Sequence, residues 1–246
     1  HDSFPRPTAK KVEQIIDGDS FKDKPIETDG ECSLFVFKTI ADPFVGKMTF
    51  FKVMSGTLTN DLTMKNVTSG TTEKMAHIYT MRGKKQTEVT SLCCGDIGMI
   101  AKLAGTNTND TLTVSSDFEY RKIAFPHPYY TMAITPAAKG DEDKISTGIA
   151  RLLEEDKTLA YENNAETKQM TISGLGDMQL DVLVARMKSR YGTTVLLETP
   201  KIAYRETIKG TSDVEGKHKK QSGGSGQYGH VKMRFSHGDA EGLTFT

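Results

Sequence analysis

The sequence carries no excess charge of either sign, with 32 Lys and Arg matched by 32 Asp and Glu over 246 residues. That balance excludes a histone-like grip on nucleic acid through bulk charge, but a local basic patch can still serve one surface. Cysteine is scarce. Cys32, Cys93 and Cys94 include an adjacent pair and offer no disulfide framework, which points to a reducing, cytoplasmic setting rather than secretion. The adjacent pair reads most simply as strand residues. No apolar run approaches the roughly 20 residues of a membrane helix and no signal peptide is visible, so a soluble protein with no membrane partner is expected. A G-x-x-x-x-G-K-[ST] phosphate loop is missing too. His77, His127, His218, His230 and His237 lack metal-ligand spacing, and no nucleophile has an identifiable base. No catalytic residue and no metal site is therefore assigned. The acidic pair Glu154-Glu155 falls on the polar side of an expected helix and reads as a solvated face.

What is present is organised around residues 161–191. A strand-like 169–172 passes through Gly174-Leu175-Gly176 into a segment where Leu180, Leu183, Val184 and Met187 recur at i, i+3, i+4 and i+7, one stripe of a helix. Asp177 near its start and Arg186, Lys188 and Arg190 near its end suit the helix dipole, and Gly192 stops it. The glycines read as a tight turn that lets helix and sheet pack closely. Upstream, 129–135 reads as a strand and 141–156 as a helix with Ile145, Ile149, Leu152 and Leu153 on one face. Downstream, 193–197 supplies another strand. The order strand, helix, strand, strand, helix, strand predicts an α+β ferredoxin-like domain over 119–198.

Before it, residues 28–118 hold short strands (32–40, 48–54, 57–67, 74–81, 97–103 and 111–114) separated by turn formers, and predict a β-barrel. Residues 1–27, with Pro5, Pro7 and Pro25 and no periodicity, read as a linker. Residues 199–246 begin a further α+β unit, with strands at 202–208, 214–219 and 230–235 and a truncated one at 243–246. Together with the non-Met first residue, that ending reads as a fragment of a longer chain. Between the strands of this unit lies a Gly-rich loop preceded by Lys217, Lys219 and Lys220. Gly224 to Gly229 fits G-x-G-x-x-G, but the basic run 217–220 precedes it, a β-like segment follows in place of a helix and the chain ends before an acidic partner could appear, so a dinucleotide site is not favoured. Lysines, exposed backbone N–H groups, Gln227 and Tyr228 suit phosphates and bases, whereas a solvated hairpin tip is the plain alternative.

Several stretches then resemble one family. Asp42-Pro43-Phe44-Val45-Gly46-Lys47, Arg151-Leu152-Leu153-Glu154-Glu155-Asp156, Gly174-Leu175-Gly176-Asp177, Ala203-Tyr204-Arg205-Glu206-Thr207 and the run from Glu215 to His230 are similar, in order, to bacterial translation elongation factor G. The resemblance implies a domain II barrel, a ferredoxin-like domain III and the opening of domain IV. Ser3-Phe4-Pro5-Arg6-Pro7 resembles the exit from a GTPase domain that is absent here. No cofactor and no enzyme activity are then expected of the fragment, with GTP and magnesium belonging to the parent's missing domain. Implied partners are the ribosome, through small-subunit rRNA and proteins, the decoding region, and tRNA and mRNA during translocation. Carried over by motif, Lys217, Lys219, Lys220, Ser222, Gly223, Gly224, Gly226, Gln227 and Tyr228 would contact RNA, and Gly176 and Gln179 would lie at the GTPase-domain junction. Two departures stand out. Gln179 replaces the family's usual His, and Ser225 its usual tip Arg. They leave open a diverged paralogue acting in ribosome recycling or rescue, beside a stand-alone RNA-binding module. A monomer is expected, with strand edges of the truncated unit as a route to dimers.

Overall fold

Gly18, at φ +59°, lets the chain reverse between β1 (Val12–Asp17) and β2 (Ser20–Pro25), and the Ser20 hydroxyl donates to the Asp17 carbonyl at 2.9 Å. Here the linker expected over 1–27 is corrected: residues 12–25 are a hairpin. It is held by a partner far away in sequence, because Ile16 N–H donates to Glu119 O and Arg121 N–H to Gln14 O. The computed structural model describes residues 9–42, 44–138, 140–204, 206, 208–221, 223–238 and 244–245.

The barrel follows with β3 (Ser33–Asp42), β4 (Gly46–Ser55), β5 (Thr57–Thr59), β6 (Leu62–Asn66), β7 (Thr72–Met75), β8 (Ile78–Arg82), β9 (Lys85–Val89), β10 (Ser91–Cys93), β11 (Ile97–Ala101) and β12 (Thr111–Thr113). Eight strands form one curled sheet in the order β7-β6-β12-β3-β4-β11-β8-β9, and β5 pairs with β10 separately. Two register shifts in the β3–β4 ladder increase its local twist, which helps the sheet curl. The turn between these strands forms because Asp42 Oδ1 accepts the N–H groups of Phe44 and Val45 at 2.9 and 2.8 Å. Two expected strands are split. Asp61, at φ +63°, interrupts 57–67, and 74–81 breaks between β7 and β8. Cys94 sits in a turn, not a strand. Leu34, Val36, Phe51, Val53, Leu58 and Met64 make the buried interior, each such side chain contributing about 1.5–3 kcal/mol.

A polar knot closes one side of this interior. Fully buried Asn66 donates to Asp110 Oδ2 at 2.7 Å and accepts from the Thr68 and Ser69 N–H groups at 3.1 Å each. Replacing Asn66 by Ala leaves three partners without it, and is expected to destabilise the barrel by about 1–3 kcal/mol. A lower urea midpoint, followed at barrel amides, checks this. Unchanged protection there would contradict it.

At the other side Glu31 ties the start of β3 to the chain after β12. Its carboxylate accepts from Ser115 N–H, from Ser116 N–H at 2.9 Å and from the Ser116 hydroxyl at 2.5 Å. Burial by itself pushes the Glu31 pKa up, but the Ser116 and Ser115 donors outweigh it and hold the group at about 2, down from 4.5. A depressed folded-state pKa gives stability that is complete above the unfolded value and lost as pH falls. The barrel is therefore expected to weaken between about pH 4.5 and pH 2. Glu31→Gln should weaken it at neutral pH and remove that part of the acid dependence, read from thermal midpoints across the range.

The second half of this compact unit, which runs to residue 201, is β13 (Tyr130–Pro136), α1 (Glu142–Glu155), β14 (Ala160–Asn164), β15 (Gln169–Gly174), α2 (Asp177–Tyr191) and β16 (Val195–Glu198). Its sheet has the order β14-β15-β13-β16 with every neighbouring pair antiparallel, the ferredoxin-like arrangement expected. Ile145, Ile149 and Leu152 of α1 meet Leu180, Leu183 and Met187 of α2 over Ile134 and Ile172. Gly192, at φ +64°, ends α2 in a left-handed cap. One expectation fails here. Glu155 is not solvated: its side chain is 9% exposed, and it accepts the Ala41 N–H of the barrel at 2.9 Å.

The second unit, 202–246, contains β17 (Ser212–Lys220) and β18 (Gln227–Phe235), an antiparallel hairpin. The strand expected over 202–208 does not form among its described residues. Of the truncated strand expected at 243–246, Leu243 and Thr246 lie outside the described residues, and Thr244 and Phe245 have no regular structure.

Candidate nucleic-acid interface and domain junction

Alternation along the hairpin sorts its residues onto two faces. Lys219 pairs with Tyr228 and Lys217 with His230, so these four share a face; Lys220 pairs with Gln227 on the opposite one, with His218. Gln227 and Tyr228 were expected within the loop, but they open β18, where their backbones pair with Lys220 and Lys219 of β17. The loop proper is 221–226. Gly223 has φ +88°, which favours glycine, while Gly224 and Gly226 complete the tip. Ser222 lies outside the described residues.

Charge on this hairpin is graded along its length. Near its base Arg234 grips Asp213 through two bonds of 2.7 and 3.0 Å and holds that carboxyl below its ordinary range, while Glu215 binds His230 at 2.5 Å. Toward the tip Lys217 Nζ lies 6.0 Å from the centre of the Tyr228 ring, and Lys219 and Lys220 have no acidic partner among the described residues. All residues of both strands are exposed. The tip therefore offers cations and an aromatic ring to an anionic ligand, and the base neutralises itself. The opposite face also carries the exposed apolar side chains Val214, Val231, Met233 and Phe235, a feature the sequence reading missed although the alternation of 231–235 shows it.

The other group lies where β15 enters α2. Gln179 Oε1 accepts the Leu175 N–H at 2.6 Å, and its Nε2 donates to Asp156 Oδ2 at 2.9 Å and to Thr158 Oγ1 at 2.7 Å. One side chain thus joins the start of α2 to the end of α1. Burial raises the Asp156 pKa, but donation from Thr158 and Gln179, with Arg186 nearby, lowers it overall and keeps the group ionised. The glycine that close packing needs is Gly174, where a Cβ would lie 2.7 Å from Gln179 Oε1. Gly176, the expected junction residue, has open space around it and extended backbone at φ 179°. Beside Gln179 runs a groove of about 390 Å³, walled by Leu159, Met178 and Val182 and edged by Asp156 and Arg186. Met178 is 76% exposed, an apolar side chain left without cover.

Neither group presents a nucleophile beside a base, and no cluster of three or more His, Cys, Asp or Glu suited to a metal occurs among the described residues. No helix among them is long and apolar enough to cross a membrane.

Comparison with known proteins agrees with this layout. Residues 31–115 match the model of elongation factor G domain 2, residues 125–199 that of elongation factor G domain III, and residues 200–246 that of elongation factor G domain IV. An elongation factor G-like protein of Thermotoga maritima is 42% identical over 222 residues, 89% of this chain and 32% of its own length. Elongation factor G of Mycoplasma genitalium is 36% identical over 247 residues, 99% of this chain and 36% of its own. The crystal structure of a Thermus thermophilus protein superposes with a TM-score of 0.76 at 29% identity, covering 94% of this chain and 33% of that one. The chain spans about a third of the length of the curated relatives it matches. With three consecutive family domains in order, the chain belongs to the elongation factor G family.

Proposed function

We propose that this chain is the ribosome-contacting part of a translational GTPase that moves tRNA and mRNA, and that it supplies positioning and coupling instead of chemistry. The observation that carries this reading is the hairpin tip, where Lys217 and Lys219 flank Tyr228 on one face and Lys220 and Gln227 stand on the other. Lysines meet phosphates as mobile point charges, and a tyrosine ring stacks on an unpaired base. In this reading the barrel faces the small ribosomal subunit, and the tip reaches the decoding region. The groove beside Gln179 receives a GTPase domain that holds GTP and magnesium. The setting is cytoplasmic.

A second reading is favoured by Gln179. Its carboxamide accepts one bond and donates two at once. A neutral imidazole, with one donor and one acceptor, cannot reproduce that set. A chain built around Gln at this place suits a paralogue specialised for ribosome recycling or rescue. Ribosome-stimulated GTP hydrolysis by the full-length parent, measured beside a translocation assay, separates the two. Hydrolysis with translocation supports the first reading, hydrolysis without it supports the second, and no ribosome stimulation defeats both.

A further inference from the structure

Glu155, the last residue of α1, is the meeting point of three elements. Its Oε1 accepts the Ala41 N–H at the end of β3 at 2.9 Å and also an Arg190 Nη1 bond at 2.9 Å. Its Oε2 lies 3.1 Å from the same Arg190 nitrogen and 3.8 Å from Arg186 Nη1. One residue earlier in the helix, the Glu154 carbonyl accepts the Thr39 hydroxyl at 2.5 Å, from a threonine that is itself 1% exposed. A helix leaves its last carbonyls without intrahelical partners, and α1 has no basic residue in its final turn. The barrel supplies the missing hydroxyl donor, and α2 supplies the missing cations. The carboxylate side chain is 9% exposed while the Arg190 and Arg186 side chains are 34% and 44% exposed, so the acceptor is enclosed by charge-assisted bonds whose cations still reach solvent.

We propose that Glu155 is an interdomain latch, fixing the orientation of the β-barrel on the ferredoxin-like domain by bonding the β3 backbone while being clamped by Arg190 and Arg186 of α2. This goes beyond the ribosomal reading and does not depend on it. Neither domain's own core needs the latch, because the two apolar clusters share no residue. Releasing it frees the orientation and leaves both folds in place. The direct connection to α2 matters as well. Arg186 also edges the groove beside Gln179, so the latch and the groove share a guanidinium.

The test is residual dipolar couplings on the ¹⁵N-labelled chain of 246 residues. In the native chain the amides of both domains are expected to fit one alignment tensor. In Glu155→Ala they are expected to need two, with the couplings within each domain still fitting its native structure. Glu155→Gln keeps an acceptor for the Ala41 N–H but loses the ion pairs, and is expected to give an intermediate separation of the tensors. If Glu155→Ala does not fold, Glu155→Gln decides alone. A single shared tensor in the variants that fold overturns the latch.

Discussion

Replacing Gly56 by alanine is expected to cost the barrel on the order of 3 kcal/mol or more, the largest stability loss anticipated for any single methyl group in this chain. Gly56 links β4 to β5 at φ +66°, where a side chain is strained whatever the space around it. The space is also filled. A Cβ would press on the Gly30 carbonyl oxygen and lie 2.8 Å from the Cys32 N–H nitrogen, both of them backbone atoms that cannot rotate aside. Moving them would disturb the Gly56 N–H bond to Glu27 O at 2.9 Å and the Ser55 hydroxyl bond to the same oxygen. For a chain of this size the loss corresponds to a fall in the barrel's thermal midpoint of roughly 6–12 °C. A midpoint within about 2 °C of the parent would mean that the Gly30 segment yields easily, and the packing argument would be wrong.

The second large effect is functional. Substituting Gln227 and Tyr228 by Ala in the full-length parent is expected to slow its ribosomal step while leaving nucleotide affinity unchanged. Stacking of one base on an aromatic ring contributes about 1–3 kcal/mol, which is roughly 5- to 150-fold in rate if it is realised in the rate-limiting state. Replacing Lys217, Lys219 and Lys220 by Ala should act differently. Each lost phosphate contact reduces the salt dependence of RNA binding by about 0.7–0.9 in log–log slope and weakens binding to all sequences alike. The two sets of variants thus separate stacking from charge. Translocation at the parent's rate in the Gln227 and Tyr228 variant would reduce the tip to a solvated hairpin.

Local pattern carried most of the ferredoxin-like domain. The stripes Ile145, Ile149, Leu152 and Leu180, Leu183, Met187 are written at helical spacing, and the stop at Gly192 requires only a left-handed residue. Both helices and three of the four strands were therefore legible by residue, since a helix or strand that buries one face must repeat apolar residues at its own period, while β14 was implied only by the order of elements. The barrel was legible as a class but not strand by strand. Turns at Asp61 and around Ala76 contain no Gly or Pro to announce them. The β1–β2 hairpin was missed although Asp17-Gly18 is a hairpin turn signal; its anchoring by backbone pairing to residues 119–121, about a hundred positions away, is what no local window shows.

The candidate site divides in the same way. Lysines, glycines and Tyr228 at the tip are visible as residue types, but their faces depend on a register that pairs Lys219 with Tyr228. Glu155 and Gln179 show the limit most plainly. A Glu on the outer face of a helix is solvated in the absence of a neighbour, and only the approach of β3, 114 residues earlier in the chain, turns it into a buried acceptor. The sequence by itself determined the elements, their order and the chemistry carried at the tip, because these follow from short-range periodicity and residue type. Tertiary structure alone decided which polar groups are buried, which glycine is sterically required and where the domains touch. Burial and hydrogen-bond partnership are properties of the surroundings, and those surroundings are set by residues that no local window contains.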